Sequence, residues 1–324
     1  MINKIKKYII FPSIAIVVVY LVALLLAIPY YVEVLESYPL MELSNEKLIK
    51  YYNLKALEPK GLGFKEYHEV GFKSSVDSHV DLTGWFIPSE EKSESCFLLV
   101  HGWRANRQTT LPFAEILKKY DFNKDNNIFM VDLRNAGMST QALTDLGYKT
   151  SYDIYDSIIF LNKNYGIKNF NIFSISMGAM ATINMLSNNK NNLQKLNIKI
   201  NKIILDSPLM NAKEAIKSRK APEIFRNNLV YIPYFFVVDN RWGNYLDKLR
   251  FSYLSQKLDL TKILIFQSKV DKTTTYKVFE KELQNLGSKA KNLNIVVFEQ
   301  GRHGIVFKDN IEVYEKKVIE FLNN

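Results

Sequence analysis

Ser176 is the residue of this chain best placed to attack an acyl carbon. It follows the apolar, strand-like run Phe170-Asn171-Ile172-Phe173 and opens a segment of small and apolar residues, Ala179 to Leu186, that reads as a helix. Small residues, Ser174 and Gly178, stand two positions to either side of it. A serine on a sharp strand-to-helix turn demands such neighbours, because bulky side chains there would collide. A hydroxyl is a weak nucleophile at neutral pH, so it needs a base, and the base needs an orienting group. Of the 4 histidines, only His303 lies C-terminal to Ser176, on the loop after the strand pattern Asn294–Phe298. Asp271 lies just past the buried-strand pattern Ile263–Gln267, whereas Asp259 lies before it. Asp206 also follows a strand pattern, Ile203-Ile204-Leu205. Taken alone, Ser176 reads as an ordinary helix N-cap and His303 as a structural histidine. Their common placement at strand ends makes them a set.

The elements that must position this set alternate along the chain. Strand patterns at Cys96–Val100, Ile128–Val131, Phe170–Phe173, Ile203–Leu205, Ile263–Gln267 and Asn294–Phe298 are interleaved with helical patterns at Leu111–Tyr120, Tyr152–Tyr165, after Ser176, Tyr276–Leu286 and Ile311–Leu322. That order predicts an α/β architecture, a mostly parallel sheet with helices on both faces. Upstream, Glu69–Lys73 and Val80–Pro88 flank the turn residues Ser74–Ser78 and predict an antiparallel hairpin at the sheet edge.

Two further segments fall at strand ends. Cys96–Val100 runs into His101-Gly102-Trp103-Arg104, and Ile128–Val131 runs into Asp132-Leu133-Arg134-Asn135-Ala136-Gly137-Met138-Ser139. With the serine turn and the order Ser176, Asp271, His303, they make the chain from about Phe64 onward resemble an α/β-hydrolase of the serine esterase, lipase and aminopeptidase type. The resemblance implies a catalytic triad of these three residues. It also implies an oxyanion hole from the backbone N–H groups of Trp103 and Met177, with His101 structural. Two positions depart from the family pattern: Ser174 replaces the first glycine of the elbow, and Asn135 replaces a glycine of Asp-x-Arg-Gly-x-Gly-x-Ser. Asp206 stands where some members of the wider fold carry the acid. Asp132 and Arg134 are expected to form a loop-stabilising ion pair.

The N-terminus carries a separate signal. Ile9 to Ile28 is an apolar run of 20 residues, preceded by Lys4, Lys6 and Lys7 and followed by Glu33 and Glu36. Its length suits a membrane-spanning helix, and the charge asymmetry places the N-terminus in the cytoplasm and the body on the far side. Tyr8, Tyr30 and Tyr31 flank it as interfacial aromatics would. A cleaved signal peptide would have a shorter apolar core and a small-x-small site, which Ala23-Leu24-Leu25 and Ala27-Ile28-Pro29 do not supply. The expected organisation is a cytoplasmic tip and transmembrane anchor at 1–31, a stalk or linker at 32–60, and a hydrolase domain at 61–324 with a cap insertion at about 209–260. Within the linker, Ser44–Leu57 reads as a short amphipathic helix that serves as a stalk or packs on the body. The cap begins with the basic Lys213–Lys220, continued by Arg226, and goes on to the apolar, aromatic Tyr231–Val238.

The expected function is cleavage of carboxylic esters, of a small molecule or a lipid, without metal or organic cofactor. A peptidase of the same fold and a catalytically silent binding module are the alternatives. The net charge of +10 is spread along the chain with no nucleic-acid-binding motif, so no nucleic acid partner is expected. The single cysteine, Cys96, excludes an intrachain disulfide and reads as a small core residue.

Overall fold

A computed structural model of the protein describes residues 2–36, 45–218 and 228–324. The central element is an eight-stranded sheet in the order β1-β2-β4-β3-β5-β6-β7-β8. Its strands are β1 (His68–Lys73), β2 (Asp81–Ile87), β3 (Ser95–Val100), β4 (Asn127–Asp132), β5 (Asn169–Ile175), β6 (Lys199–Asp206), β7 (Ile263–Ser268) and β8 (Asn294–Phe298). The expected hairpin is present, with His68 opposite Phe86 and Lys73 opposite Asp81. From β4 through β8 every pairing is parallel. Parallel strands buried on both faces need apolar side chains on both. In β3 the alternation is clean: Cys96, Leu98 and Val100 enter one core, Phe97 and Leu99 the other.

Eleven helices are described: α1 (Ile2–Glu36), α2 (Asn45–Tyr52), α3 (Leu111–Lys119), α4 (Lys149–Tyr165), α5 (Met177–Lys195), α6 (Ala212–Ser218), α7 (Asn228–Arg241), α8 (Phe251–Leu254), α9 (Tyr276–Leu286), α10 (Val306–Asp309) and α11 (Ile311–Asn323). Residues of α4, α5 and α9 fill the first core, and residues of α3 and α11 the second. Leu48 of α2 and Leu54 after it are buried in that second core, so the segment before the sheet packs on the body.

α1 is 35 residues long, a rod of about 50 Å at 1.5 Å per residue. Within it, Ser13–Glu33 is apolar enough to cross a membrane, with a mean hydropathy of 2.5. Ile14, Val17, Val18, Val19, Leu21, Val22, Leu25 and Leu26 are exposed, whereas Ile28, Val32 and Leu35 are buried against the body.

The long insertion between β6 and β7 carries α6, α7 and α8. Its basic residues Arg219, Lys220 and Arg226 lie outside the described residues. The neck of the insertion is closed by an isolated bridge between Asn211 and Arg250. Glu282 of α9 reaches both sides of that neck, accepting from Asn211 Nδ2 at 2.9 Å and from the Ser252 amide at 3.1 Å.

Candidate active site

The strand order brings the candidate residues together. β5 lies between β3 and β6, and β7 lies between β6 and β8. Loops leaving neighbouring strands at the same sheet edge therefore meet, at the carboxyl ends where ligands bind in open α/β sheets. Ser176 leaves β5, Asp206 ends β6, Asp271 follows β7 and His303 follows β8.

Ser176 occupies a strained backbone position, with φ 53° and ψ −113°. Such a conformation costs about 1–3 kcal/mol and persists only when its surroundings hold it. Three features hold it here. Its amide donates to the Asp206 carbonyl at 3.0 Å, and its own carbonyl accepts from the Leu209 amide at 3.0 Å. Gly178 lets the start of α5 approach the end of β3: a Cβ there would lie 2.4 Å from the His101 carbonyl oxygen. The serine is consequently presented at the N-terminus of α5, where helix amides favour developing negative charge.

His303 Nε2 lies 2.8 Å from Ser176 Oγ, and His303 Nδ1 lies 2.8 Å from Asp271 Oδ2. The second contact assigns the tautomer: a carboxylate accepts, so Nδ1 carries the proton and Nε2 is left as a base facing the hydroxyl. Asp271 is held in turn by Thr273 and Thr274. Their amides donate to Oδ1 at 2.7 and 2.9 Å, and the Thr274 hydroxyl lies 2.8 Å from Oδ2. Gln267 Nε2 donates to the Thr274 carbonyl at 3.0 Å and pins this turn to the end of β7. Burial by itself would raise the Asp271 pKa. The hydrogen bond and charge of His303, with the Thr274 and Thr273 amides, outweigh it and hold the carboxyl below its usual 3.8. Asp271 therefore stays ionised beside the imidazole. Asp259 is elsewhere, capping a short turn through the Thr261 amide at 3.2 Å.

The loop after β3 reaches the serine. A Cβ on Gly102 would lie 3.2 Å from Ser176 Cβ, so the peptide leading to Trp103 borders Ser176. His101 supports that loop from within. Its Nδ1 lies 2.7 Å from the Gly102 carbonyl, and its Nε2 accepts from the Leu133 amide at 3.0 Å. Burial lowers its pKa, against the opposing charge of Asp132, so the ring is neutral and ties two loops together.

Both departures from the family pattern have a local cause. Ser174 Oγ is 2.7 Å from Thr182 Oγ1 on α5, so the hydroxyl that replaces a hydrogen brings its own buried partner. Asn135 has φ 58°, a left-handed conformation that asparagine tolerates better than most residues. One expectation is corrected: Asp132 and Arg134 do not pair with each other. Asp132 Oδ1 accepts from the Arg107 amide at 2.7 Å and Oδ2 from the Met138 amide at 3.0 Å, while Arg134 Nη2 binds Asp153 Oδ1 at 2.7 Å. In an extended strand residues two apart share a side, but β4 ends at Asp132, and the turn that follows carries Arg134 to Asp153 of α4 instead.

Sequence reasoning named Asp206 but missed its partners, Ser207 and Tyr314 of α11. Asp206 does not take the acid's place: its Oδ1 accepts from Ser207 Oγ at 2.7 Å and its Oδ2 from the Tyr314 hydroxyl at 2.9 Å. Ser207 Oγ also accepts from the Gly304 amide at 3.1 Å, the residue after His303. The carboxyl thus anchors the histidine loop from below. Burial raises its pKa to about 6 against the pull of these hydrogen bonds. An acid whose folded pKa exceeds its unfolded value costs nothing below the unfolded pKa and its full penalty above the folded one. Between pH 3.8 and about 6 the wild type should therefore lose stability relative to Asp206→Asn, by about 3 kcal/mol at 1.36 kcal/mol per pH unit. Thermal unfolding of both proteins across that range checks this, and parallel curves would refute it.

Solved structures with this architecture include an esterase of Pyrococcus furiosus, at 20% identity and a TM-score of 0.62, covering 82% of this chain and 93% of that one. This is an α/β-hydrolase fold. An α/β-hydrolase of Vibrio vulnificus covers 90% of this chain and 92% of its own at 14% identity and a TM-score of 0.58. Est1E of Butyrivibrio proteoclasticus, solved with ferulic acid bound, covers 79% of this chain and 100% of its own at 14% identity and a TM-score of 0.56. No family model and no curated protein matches the sequence. Within the α/β-hydrolase fold, the serine turn follows β5 and the histidine loop follows β8.

Proposed function

We propose that the protein is a membrane-anchored serine hydrolase that cleaves carboxylic esters through an acyl-enzyme on Ser176. The observation that carries this reading is the unbroken hydrogen-bonded chain from Ser176 Oγ through His303 to Asp271. Esterases among the proteins of like fold support it.

In the reaction, Ser176 Oγ attacks the ester carbonyl carbon while His303 Nε2 takes its proton. A bond forms between Oγ and carbon, and the carbonyl oxygen becomes an oxyanion. The Met177 amide and that of Trp103 are the groups to receive it, and one such donor is worth about 3 kcal/mol. His303 then returns the proton to the departing alkoxide oxygen as the carbon–oxygen ester bond breaks. Water enters, gives its proton to His303, and its oxygen attacks the acyl carbon. Collapse releases the carboxylic acid and restores the Ser176 hydroxyl. Asp271 stabilises the imidazolium in both halves and takes no proton itself.

The anchor is α1. Lys4, Lys6 and Lys7 before its apolar span and Glu33 and Glu36 at its end support an N-terminus in the cytoplasm and a catalytic body outside it. A panel of p-nitrophenyl esters of increasing acyl length, run beside aminoacyl p-nitroanilides, tests the reaction. Ester turnover without anilide turnover is the expected result. Anilide preference would make the protein a peptidase, and no turnover by folded protein that also resists a fluorophosphonate probe would make it a binding module.

A further inference from the structure

Two helices that contribute nothing to the triad, α1 and α7, pack against each other. On α1 the side chains turned to the body are Tyr20, Ile28, Tyr31, Val32 and Leu35, a single stripe at helical spacing. That stripe begins well inside the apolar span Ser13–Glu33. From Tyr20 to Glu33 the helix rises about 20 Å, so α1 is in contact with the body over much of the depth it would occupy in a membrane. The partner helix has matching character. From Asn228 to Val238 it carries no charged residue, and its first charges are Asp239 and Arg241 at the far end. Tyr234, Phe235 and Val238 are buried in the first core, whereas Ile232 and Phe236, one turn apart, are 66% and 73% exposed. A helix apolar on all sides belongs in a core or in lipid, and among the described residues none covers Ile232 and Phe236 on the outward side of α7.

We infer that α7 is immersed in the same bilayer as the C-terminal half of α1, with Ile232 and Phe236 against the acyl chains. The partner of this surface is the lipid membrane itself. The inference rests on the membrane-anchor reading and extends it: α7 is a second membrane-contacting element beside the anchor. A helix lying in the interface with its apolar face buried is a stable arrangement, and α1 supplies the tether that holds it there.

The full-length protein in phosphatidylcholine–phosphatidylglycerol nanodiscs tests this by nitroxide accessibility. Single labels are placed by Leu25→Cys, Ile232→Cys, Phe236→Cys and, as a solvent control on α4, Lys163→Cys, each with the buried Cys96 replaced by alanine. Fluorophosphonate labelling of every variant verifies that its fold is intact. The expected result is preferential collision with oxygen at positions 25, 232 and 236, and with aqueous nickel chelate at 163. Oxygen preference at 25 with nickel preference at 232 and 236 would overturn the inference and leave the anchor standing. Nickel preference at 25 as well would overturn both.

Discussion

Replacing Ser176 with alanine is expected to abolish ester hydrolysis and fluorophosphonate labelling together. The loss in kcat should be about a million-fold, the scale on which triads acting as a unit fail. What remains would come from the oxyanion donors and substrate binding alone. The substitution removes one oxygen from a side chain whose only described partner is His303, at 2.8 Å. It does not touch the backbone bonds that hold the turn, from the Ser176 amide to the Asp206 carbonyl and from the Leu209 amide to the Ser176 carbonyl. The variant should therefore fold, with its thermal transition within a few degrees of the wild type. Turnover or labelling at the wild-type level would remove Ser176 from the nucleophile's role.

The second large effect is expected at Asp271. Asp271→Asn preserves size and can still accept from the Thr273 and Thr274 amides, so the turn after β7 is kept. What changes is the group facing His303. An amide nitrogen donates and does not accept, so the neutral imidazole is driven to carry its proton on Nε2. That proton then points at Ser176 Oγ, and the base is lost. A fall in kcat of about ten-thousand-fold follows from this tautomer error, with little change in KM. Asp206 offers no rescue, since its oxygens are engaged by Ser207 and Tyr314. The comparison between the two acids is the informative one: Asp206→Asn should shift stability with pH while retaining the triad contacts. If Asp206→Asn and Asp271→Asn cost the same activity, the acid has been misassigned.

The candidate site was legible in the sequence because its chemistry is local to strand ends. Apolar runs locate the strands, and the residue after each run is fixed by covalent connection. Ser176, Asp271 and His303 could thus be named without knowing how the strands are ordered. The supporting network was not legible for the same reason. Ser207 and Gly304 are 97 residues apart, and nothing local marks a serine that accepts from a distant amide. Asp206 and Tyr314 meet across 108 residues. One signal was available and went unread: the spacing of Asp271 and Thr274 suits a carboxylate that caps the turn it opens.

Ser174 and Asn135 divide the same way. From sequence each is a missing glycine. Only the packed structure shows that Thr182 receives the Ser174 hydroxyl and that Asn135 adopts the left-handed conformation a glycine would. Arg134 and Asp132 are the converse case, two opposite charges near in sequence that turn to different partners.

By itself, then, the sequence determined the alternation of strands and helices, the candidate residues Ser176, Asp271 and His303, and the apolar N-terminal segment. These follow from side-chain type and period, which are properties of the chain before it folds. The tertiary structure decided what surrounds those candidates: Asp271 meets His303, because β7 and β8 are neighbours, while Asp206 turns to Ser207 and Tyr314. It also decided that α1 lies against the cap helix α7, a contact that depends on packing between segments about 200 residues apart.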